Sequence, residues 1–362
     1  MLAALNVAYA QEAQDTTTAA RATDNAPATV VVLGSRSTAK TALDTAAPVG
    51  LINIKDMQTA GPLELGKLLQ TLDPSFNFST TFISDGTDII RPATLRGLGP
   101  DQLLVLVNGK RRHNTALVHV NGSVGRGSTS VDLNAIPVSA IERMEVLRDG
   151  AAAQYGSDAI AGVVNVVLKS GERREATTTF GRVQSNENDR KFTDGEHINL
   201  NGTWGVLLQQ GGYITLNGEY RNRNRTNRAY PDQRPQYFAG DPRESQPDVI
   251  SSWQGDGDSK DLGGFLNAAF PLGSGGTELY AFGGITAREG LAAGFFRRAN
   301  DARTVRAIHP DGFLPEIGSD ILDFSGAAGV RGNLGTWRWD LSSVYGGNSF
   351  GFSVQNSNNV TL

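Results

Sequence analysis

The stretch that decides the fold begins Ile141-Glu142-Arg143-Met144-Glu145-Val146-Leu147, with Met144 and Val146 on one face and Arg143 and Glu145 on the other, the period of a β-strand. It continues through Arg148-Asp149-Gly150-Ala151 and Tyr155-Gly156-Ser157 into Ala159-Ile160-Ala161-Gly162-Val163-Val164-Asn165-Val166-Val167. This Val-rich run ends at Lys169-Ser170-Gly171, a second strand closed by glycine punctuation.

Upstream the pattern mixes α and β. Leu103 to Val107 is an apolar run that meets Asn108-Gly109, the strongest two-residue hairpin signal, so the chain turns back through Lys110-Arg111-Arg112. Thr94 to Arg96 and Val49 to Ile54 read as short strands, and Leu117 to Ser130 as a loop. Leu63 to Leu72 places Leu65, Leu68, Leu69 and Leu72 on one side of a helix that Asp73-Pro74 terminates. Residues 11–48 are a polar leader interrupted by Thr29-Val30-Val31-Val32-Leu33. That isolated β-branched run could accept a strand from a partner or be the first strand of the core. Met1 to Ala10 ends Ala8-Tyr9-Ala10, which reads as a partial signal peptide lacking its basic start, or as an ordinary apolar terminus.

Downstream of Arg173 the period is two almost throughout. Ile198, Leu200, Trp204, Val206 and Leu208 oppose Asn199, Asn201 and Thr203, and Ile214, Leu216 and Tyr220 oppose Thr215, Asn217, Glu219 and Arg221. Phe324, Ala328 and Val330 oppose Asp323, Ser325 and Arg331; Trp337, Trp339, Leu341 and Tyr345 oppose Arg338, Asp340 and Ser342. A soluble half-buried sheet alternates in the same way. Strands of about 10 to 13 residues, however, match a tilted membrane span, and Trp and Tyr fall near their ends as in interfacial girdles. Short connections (209–212, 273–276, 335) alternate with long ones (222–260, 289–320), the asymmetry of an outer-membrane barrel.

Composition narrows the function. The 362 residues include 43 Gly, 39% hydrophobic and 19% charged residues, enough to fold and, at roughly 100 to 200 residues per domain, to form two domains. A net charge of −4 offers no phosphate-neutralising stripe, so nucleic acid is not expected. The absence of Cys excludes disulfides and thiolate metal sites. There is no apolar run of about 18 residues, hence no transmembrane helix, while a mean hydropathy of −0.27 is compatible with barrel strands. Gly122, Gly125 and Gly127 do not form a dinucleotide fingerprint, and no P-loop, nucleophile elbow or H-E-x-x-H is present. No enzyme activity, cofactor or metal site is therefore expected.

These motifs together resemble the TonB-dependent outer-membrane receptor family. Residues 141–167 are similar to its plug signature, in which an "IERIEV" strand leads through a Tyr-Gly pair to a "GGVINI" strand; Thr94-Leu95-Arg96-Gly97 and Leu104 to Gly109 resemble its "IRG" and "VLVDG" elements. Asp149 and Asn108 depart from the commonest family residues, and Asn-Gly keeps the turn. The resemblance implies an α+β plug domain (49–171) followed by an antiparallel transmembrane β-barrel (172–362), with a TonB box at Thr29, Val30, Val31, Val32 and Leu33. The plug motif would comprise Arg96, Gly97, Asn108, Gly109, Arg143, Glu145, Arg148, Gly150, Tyr155, Gly156 and Gly162. Of these, Arg143, Glu145 and Arg148 are candidates to meet the polar barrel wall, with solvated surface charge as the alternative.

About seven or eight strand candidates stand against about 22 in the family, and eight strands cannot enclose a plug, so a fragment or truncated product is expected. Leu362 is not the family's terminal aromatic residue, and the short leader leaves no room for a signalling domain. The implied function is TonB-dependent uptake of a small molecule or metal chelate (siderophore-iron, a vitamin or an oligomeric nutrient) across the outer membrane of a Gram-negative bacterium. TonB and outer-membrane lipid would be its partners. The rivals are a non-transporting binding or structural barrel and a non-functional truncated receptor. Candidate substrate contacts are Arg111, Arg112, His113 and His119 on apical plug loops and Arg297, Arg298 and His309 in the long 289–320 loop, although basic loop residues are more often plain solvated charge. His113 and His119, six residues apart, do not have metal-ligand spacing.

Overall fold

The computed structural model describes residues 5–6, 30–31, 40–41, 49–53, 64–120, 123–148, 151–187, 190–245, 251–273 and 275–361. The segment expected as a signal peptide lies outside these residues except for Leu5–Asn6 (β1), and the expected TonB box except for Val30–Val31 (β2). β2 pairs antiparallel with Lys40–Thr41 (β3).

The first unit is a small mixed domain. Its five-stranded sheet contains Val49–Asn53 (β4), Leu103–Val107 (β7), Lys110–Arg111 (β8), Ile141–Leu147 (β9) and Gly162–Leu168 (β10) in the order β4-β9-β10-β7-β8. β9 and β10 pair antiparallel across the 148–161 connection, while β10 lies parallel to β7, which the long stretch between those two strands permits. Asn108 and Gly109 have φ of 46° and 79°, both left-handed, as a two-residue I′ hairpin turn demands. The helix Leu65–Leu72 (α1) buries Leu65, Leu68 and Leu69 on one face of this core. Gly66 lets the helix approach Phe78 so closely that any Cβ would overlap the ring. Phe76–Phe78 (β5) and Ala93–Leu95 (β6) form a separate two-stranded ribbon, and Ala151–Tyr155 (α2) bridges β9 to β10.

The second unit is a curved wall of seven long antiparallel strands in chain order: Arg173–Glu187 (β11), Arg190–Leu207 (β12), Tyr213–Arg223 (β13), Asp258–Pro271 (β14), Glu278–Ala293 (β15), Glu316–Leu334 (β16) and Trp337–Gln355 (β17). β1 adds two residues to the outer edge of β11. The faces are those the alternation predicts. Asn199, Thr203, Thr215, Asn217, Glu219 and Arg221 are buried on the inner face, whereas Leu200, Trp204, Leu216, Leu262, Ile285 and Leu341 stand exposed on the outer one. A water-soluble sheet would invert this, because bare leucines would face solvent and charges the core. In a bilayer the arrangement is the favourable one.

Two expectations need correction. The strands have 11 to 19 residues rather than about 10 to 13, so the long connections shrink to 224–257 and 294–315. In β12 the added residues Arg190 to His197 are mostly polar on both faces and the alternation fades there, whereas β17 continues beyond Gly346 with Phe350, Phe352 and Val354 on one face. Tyr345 therefore lies mid-strand, opposite Gly326, instead of near a strand end.

Candidate functional site

The mixed domain lies against the inner face of the wall: one apolar cluster joins its core to Phe265, Ala269, Tyr280, Phe282 and Ala327 of β14–β16, and a second packs Ile89, Ile90 and Leu117 against Ile321 of β16 and Phe350 of β17. Most of the remaining contact is polar and buried, in three groups.

The first centres on Arg91, whose side chain is almost fully buried. It donates to Glu64 Oε2 and to Asp256 Oδ1, each at 2.8 Å; Lys67 reaches Asp256 Oδ2 at 3.2 Å, and Arg223 pairs with Glu64. Glu64 is the N-cap residue of α1 yet makes no side-chain capping bond, since its carboxylate is engaged by the two arginines. Burial alone would raise the Asp256 carboxyl, but Arg91, Lys67 and Arg223 hold it below the usual carboxylate range, so it stays ionised at physiological pH. In the second group, Asp132 accepts from Arg288 Nη1 at 2.8 Å; Arg288 also binds Asp261, which accepts from Arg221 Nη2 at 2.8 Å and Ser259 Oγ at 2.6 Å. In the third, Arg112 pairs with Asp323 and Ser325, while His113 Nε2 and Asn348 Nδ2 both lie 3.0 Å from Asp323 Oδ2. Each group unites a residue of the mixed domain with one or more from the wall.

Backbone bonds complete the contact. Thr286 Oγ1 donates to the Ala135 carbonyl at 2.8 Å, Thr203 Oγ1 to that of Ser139 at 3.1 Å, and Asn267 Nδ2 to that of Lys169 at 2.9 Å. At the short-turn end of the wall, Lys110 meets Asp340 at 3.0 Å, and the Asn108–Gly109 turn shares a groove with Gly276, Arg338 and Trp339.

The structure distributes the sequence-derived candidates unevenly. Arg112 and His113 are held by Asp323 and lie between the domain and the wall, not on an open apical loop. Arg111 follows the turn at the short-turn end and pairs with Asp158 and the Tyr155 carbonyl, so its apical placement is also corrected. The reason is common to both: the hairpin begins at the lower end of the wall and climbs along it. His119 does lie in a loop, but it is fully buried against Ser130 at 3.1 Å, and burial lowers its imidazole below the ordinary value, so it supplies no cation. In the 294–315 connection, Arg297 bridges Phe313 through its backbone, His309 stacks on that ring at 4.4 Å, and Arg298 Nη1 donates to the Pro235 carbonyl at 2.7 Å.

The motif residues within the domain serve its architecture. Glu145 is buried and accepts from Arg143 at 2.9 Å and from Asn165 Nδ2 at 3.0 Å; Arg148 binds Asp73 and Ser75. These partners belong to the domain; ion pairs to the wall are made by Arg91, Arg112 and Asp132. Asn108 Oδ1 accepts from Leu168 N, and Asn165 Oδ1 from Gly109 N, each at 2.9 Å, tying the hairpin turn to β10. Arg96 Nη1 reaches the Arg148 carbonyl at 2.7 Å beside Gly97, and Gly162 sits at φ 145° where a Cβ would strike the Leu147 carbonyl. Tyr155 is the last residue of α2 and Gly156 follows it at φ 107°; Gly150 lies outside the described residues. Sequence reasoning missed Arg91 and Asp132. The available signal was the run of inward charges on the wall (Arg221, Asp261, Arg288, Asp323), which demanded partners.

Among known proteins, the family described as TonB-dependent Receptor Plug Domain matches residues 41–163. The chain is 35% identical over 162 residues to the ferric enterobactin receptor PirA of Pseudomonas aeruginosa, covering 44% of this chain and 21% of that one. It is also 35% identical over 125 residues to the vitamin B12 transporter BtuB of Vibrio vulnificus, covering 34% and 18%. The chain thus matches about a fifth of the length of these relatives. A solved ferric enterobactin receptor from Pseudomonas aeruginosa superposes with a TM-score of 0.51 at 19% identity, over 85% of this chain and 46% of that one, which is a likeness of fold.

Proposed function

Since this chain belongs to the TonB-dependent receptors of the Gram-negative outer membrane, combining a plug domain with barrel strands, we propose that it serves energised uptake of a compact nutrient of the metal-chelate or vitamin class. One observation carries the reading: a folded plug occupies the polar inner face of a wall whose outer face is apolar and bare. A structural barrel has no need of a separate domain latched across its lumen by buried ion pairs, whereas a gated pore does.

In this reading the long connections and the upper plug loops take cargo from outside. Thr29 to Leu33 offers TonB an edge for strand addition, and Val30–Val31 already adopts β conformation with Lys40–Thr41, which supports that role. Tension on the segment is transmitted to β4 and its neighbour β9, and through their sheet to the connecting segments of the plug that carry the buried ion pairs. The choice of cargo class rests on the names of the relatives. Removing residues 29–33 from the receptor in its own outer membrane should abolish uptake while leaving surface binding of the nutrient intact. Uptake that survives the deletion excludes the coupled mechanism.

A further inference from the structure

The two long connections are bonded to each other as well as to their strands. Within 224–245, Arg234 closes on both oxygens of Asp232 at 2.6 and 2.8 Å while its backbone N donates to the same carboxylate at 3.1 Å. The arrangement recurs at Asp241–Arg243 (2.6, 3.0 and 3.0 Å) and, in the other connection, at Asp301–Arg303 (2.7, 2.9 and 2.9 Å). An Asp two residues before an Arg thus forms a turn fixed by a bidentate ion pair. These three arginines are neutralised within their own turns and serve shape.

Arg243 does more than the other two. Its Nη1 also meets Asp311 Oδ1 of the opposite connection at 2.9 Å, and its guanidinium lies 4.4 Å from the centre of the Tyr237 ring. The Tyr237 hydroxyl donates to the same Asp311 oxygen at 3.0 Å. Beside this cluster, Asn300 N donates to the Gln236 carbonyl at 3.1 Å, and Asn300 Nδ2 to the carbonyls of Pro235 and Tyr237, each at 3.0 Å.

We propose that Arg243 and Asp311 form a latch that joins the 224–245 and 294–315 connections into one body at the entrance of the receptor. An isolated exposed ion pair contributes little, because ordering both long side chains offsets the attraction. Here Asp241 already orders the guanidinium, and Glu244 fixes the neighbouring backbone by accepting from Gln236 N and Tyr237 N at 3.0 and 2.7 Å. Asp311 therefore meets a preordered partner. The role at an entrance rests on the receptor reading; the coupling between the connections does not.

The test is amide hydrogen exchange on the receptor in detergent without substrate, read at Asn300, whose amide bond crosses between the connections. Asp311→Ala removes the latch and spares the Asp241–Arg243 turn. It should speed exchange at Asn300 about five- to tenfold, as loss of a cooperative set of hydrogen bonds would. Arg243→Ala, which leaves the Tyr237–Asp311 bond in place, should speed it as well, and the double variant should fall short of the two effects combined. Arg303→Ala, which loosens one turn only, should affect Arg303 and its neighbours and leave the Gln236–Tyr237 segment unchanged. An Asn300 amide that stays protected in Asp311→Ala, or effects of the two substitutions that simply add, would overturn the latch. No step uses cargo or uptake, so this outcome is independent of the deletion experiment.

Discussion

Arg91 illustrates how this molecule uses buried charge. A guanidinium removed from water is costly unless its donors are met by acceptors in the right plane. Arg91 meets this condition with Glu64 on the plug and Asp256 beside the wall, residues 27 and 165 positions away. Replacing it with Ala leaves two buried carboxylates with only Arg223 and Lys67 to share, and should weaken plug docking by about 3–5 kcal/mol. Denaturant titration with protease cleavage of the plug as the readout checks this. Arg91→Lys should recover only part of the loss, because an ammonium cannot span both carboxylates in a fork; full recovery by Lys would show that the bridging geometry is irrelevant. This is also the scale at which the sequence is least legible. Arg112 finds Asp323 at a separation of 211 residues and Arg288 finds Asp132 at 156. No local pattern records such partners, so Arg112 and His113 read as free ligands when they are in fact fastened to the wall.

Elements were far more legible, because their causes are local. The Asn108–Gly109 turn, α1 and the alternating faces of β12, β13, β16 and β17 all lie where propensity and periodicity put them. Strand ends did not: in β12 the residues from Arg190 to His197 are mostly polar on both faces, so the period-two signal fades before the strand ends. The outer face supplies a depth-dependent prediction. Ile285 lies midway along β15, whereas Leu279 stands next to the short turn. Arg placed at position 285 should cost about 2–4 kcal/mol of barrel stability and at 279 only about 0–1, since a long side chain near the boundary reaches the headgroups. The measurement is the folding equilibrium of each variant in lipid vesicles. Equal costs at both depths would mean that the exposed leucines do not contact hydrocarbon.

For the whole molecule, the question is which part yields first. The wall is held by long backbone ladders in which each strand from β12 to β16 is bonded on both sides, and lipid leaves unsatisfied backbone groups no alternative partner. Among the described residues the plug shares no sheet with the wall and is held to it by ion pairs, side-chain bonds to carbonyls and two apolar patches. Denaturant solvates peptide and apolar groups alike, so the plug should release at a concentration that leaves the wall folded. The sequence provides a probe. Trp204, Trp253, Trp337 and Trp339 all follow the plug, and Trp253 shares a small cavity with Phe82 and Asp88 of the plug. As urea rises, protease cleavage within residues 64–171 should precede any change at Trp204, Trp337 and Trp339, with Trp253 alone responding early. Single-tryptophan variants followed by fluorescence separate the two events. A single transition shared by all four tryptophans and by cleavage would mean that plug and wall unfold as one cooperative unit, and a plug that cannot leave without melting its barrel could not serve as a gate.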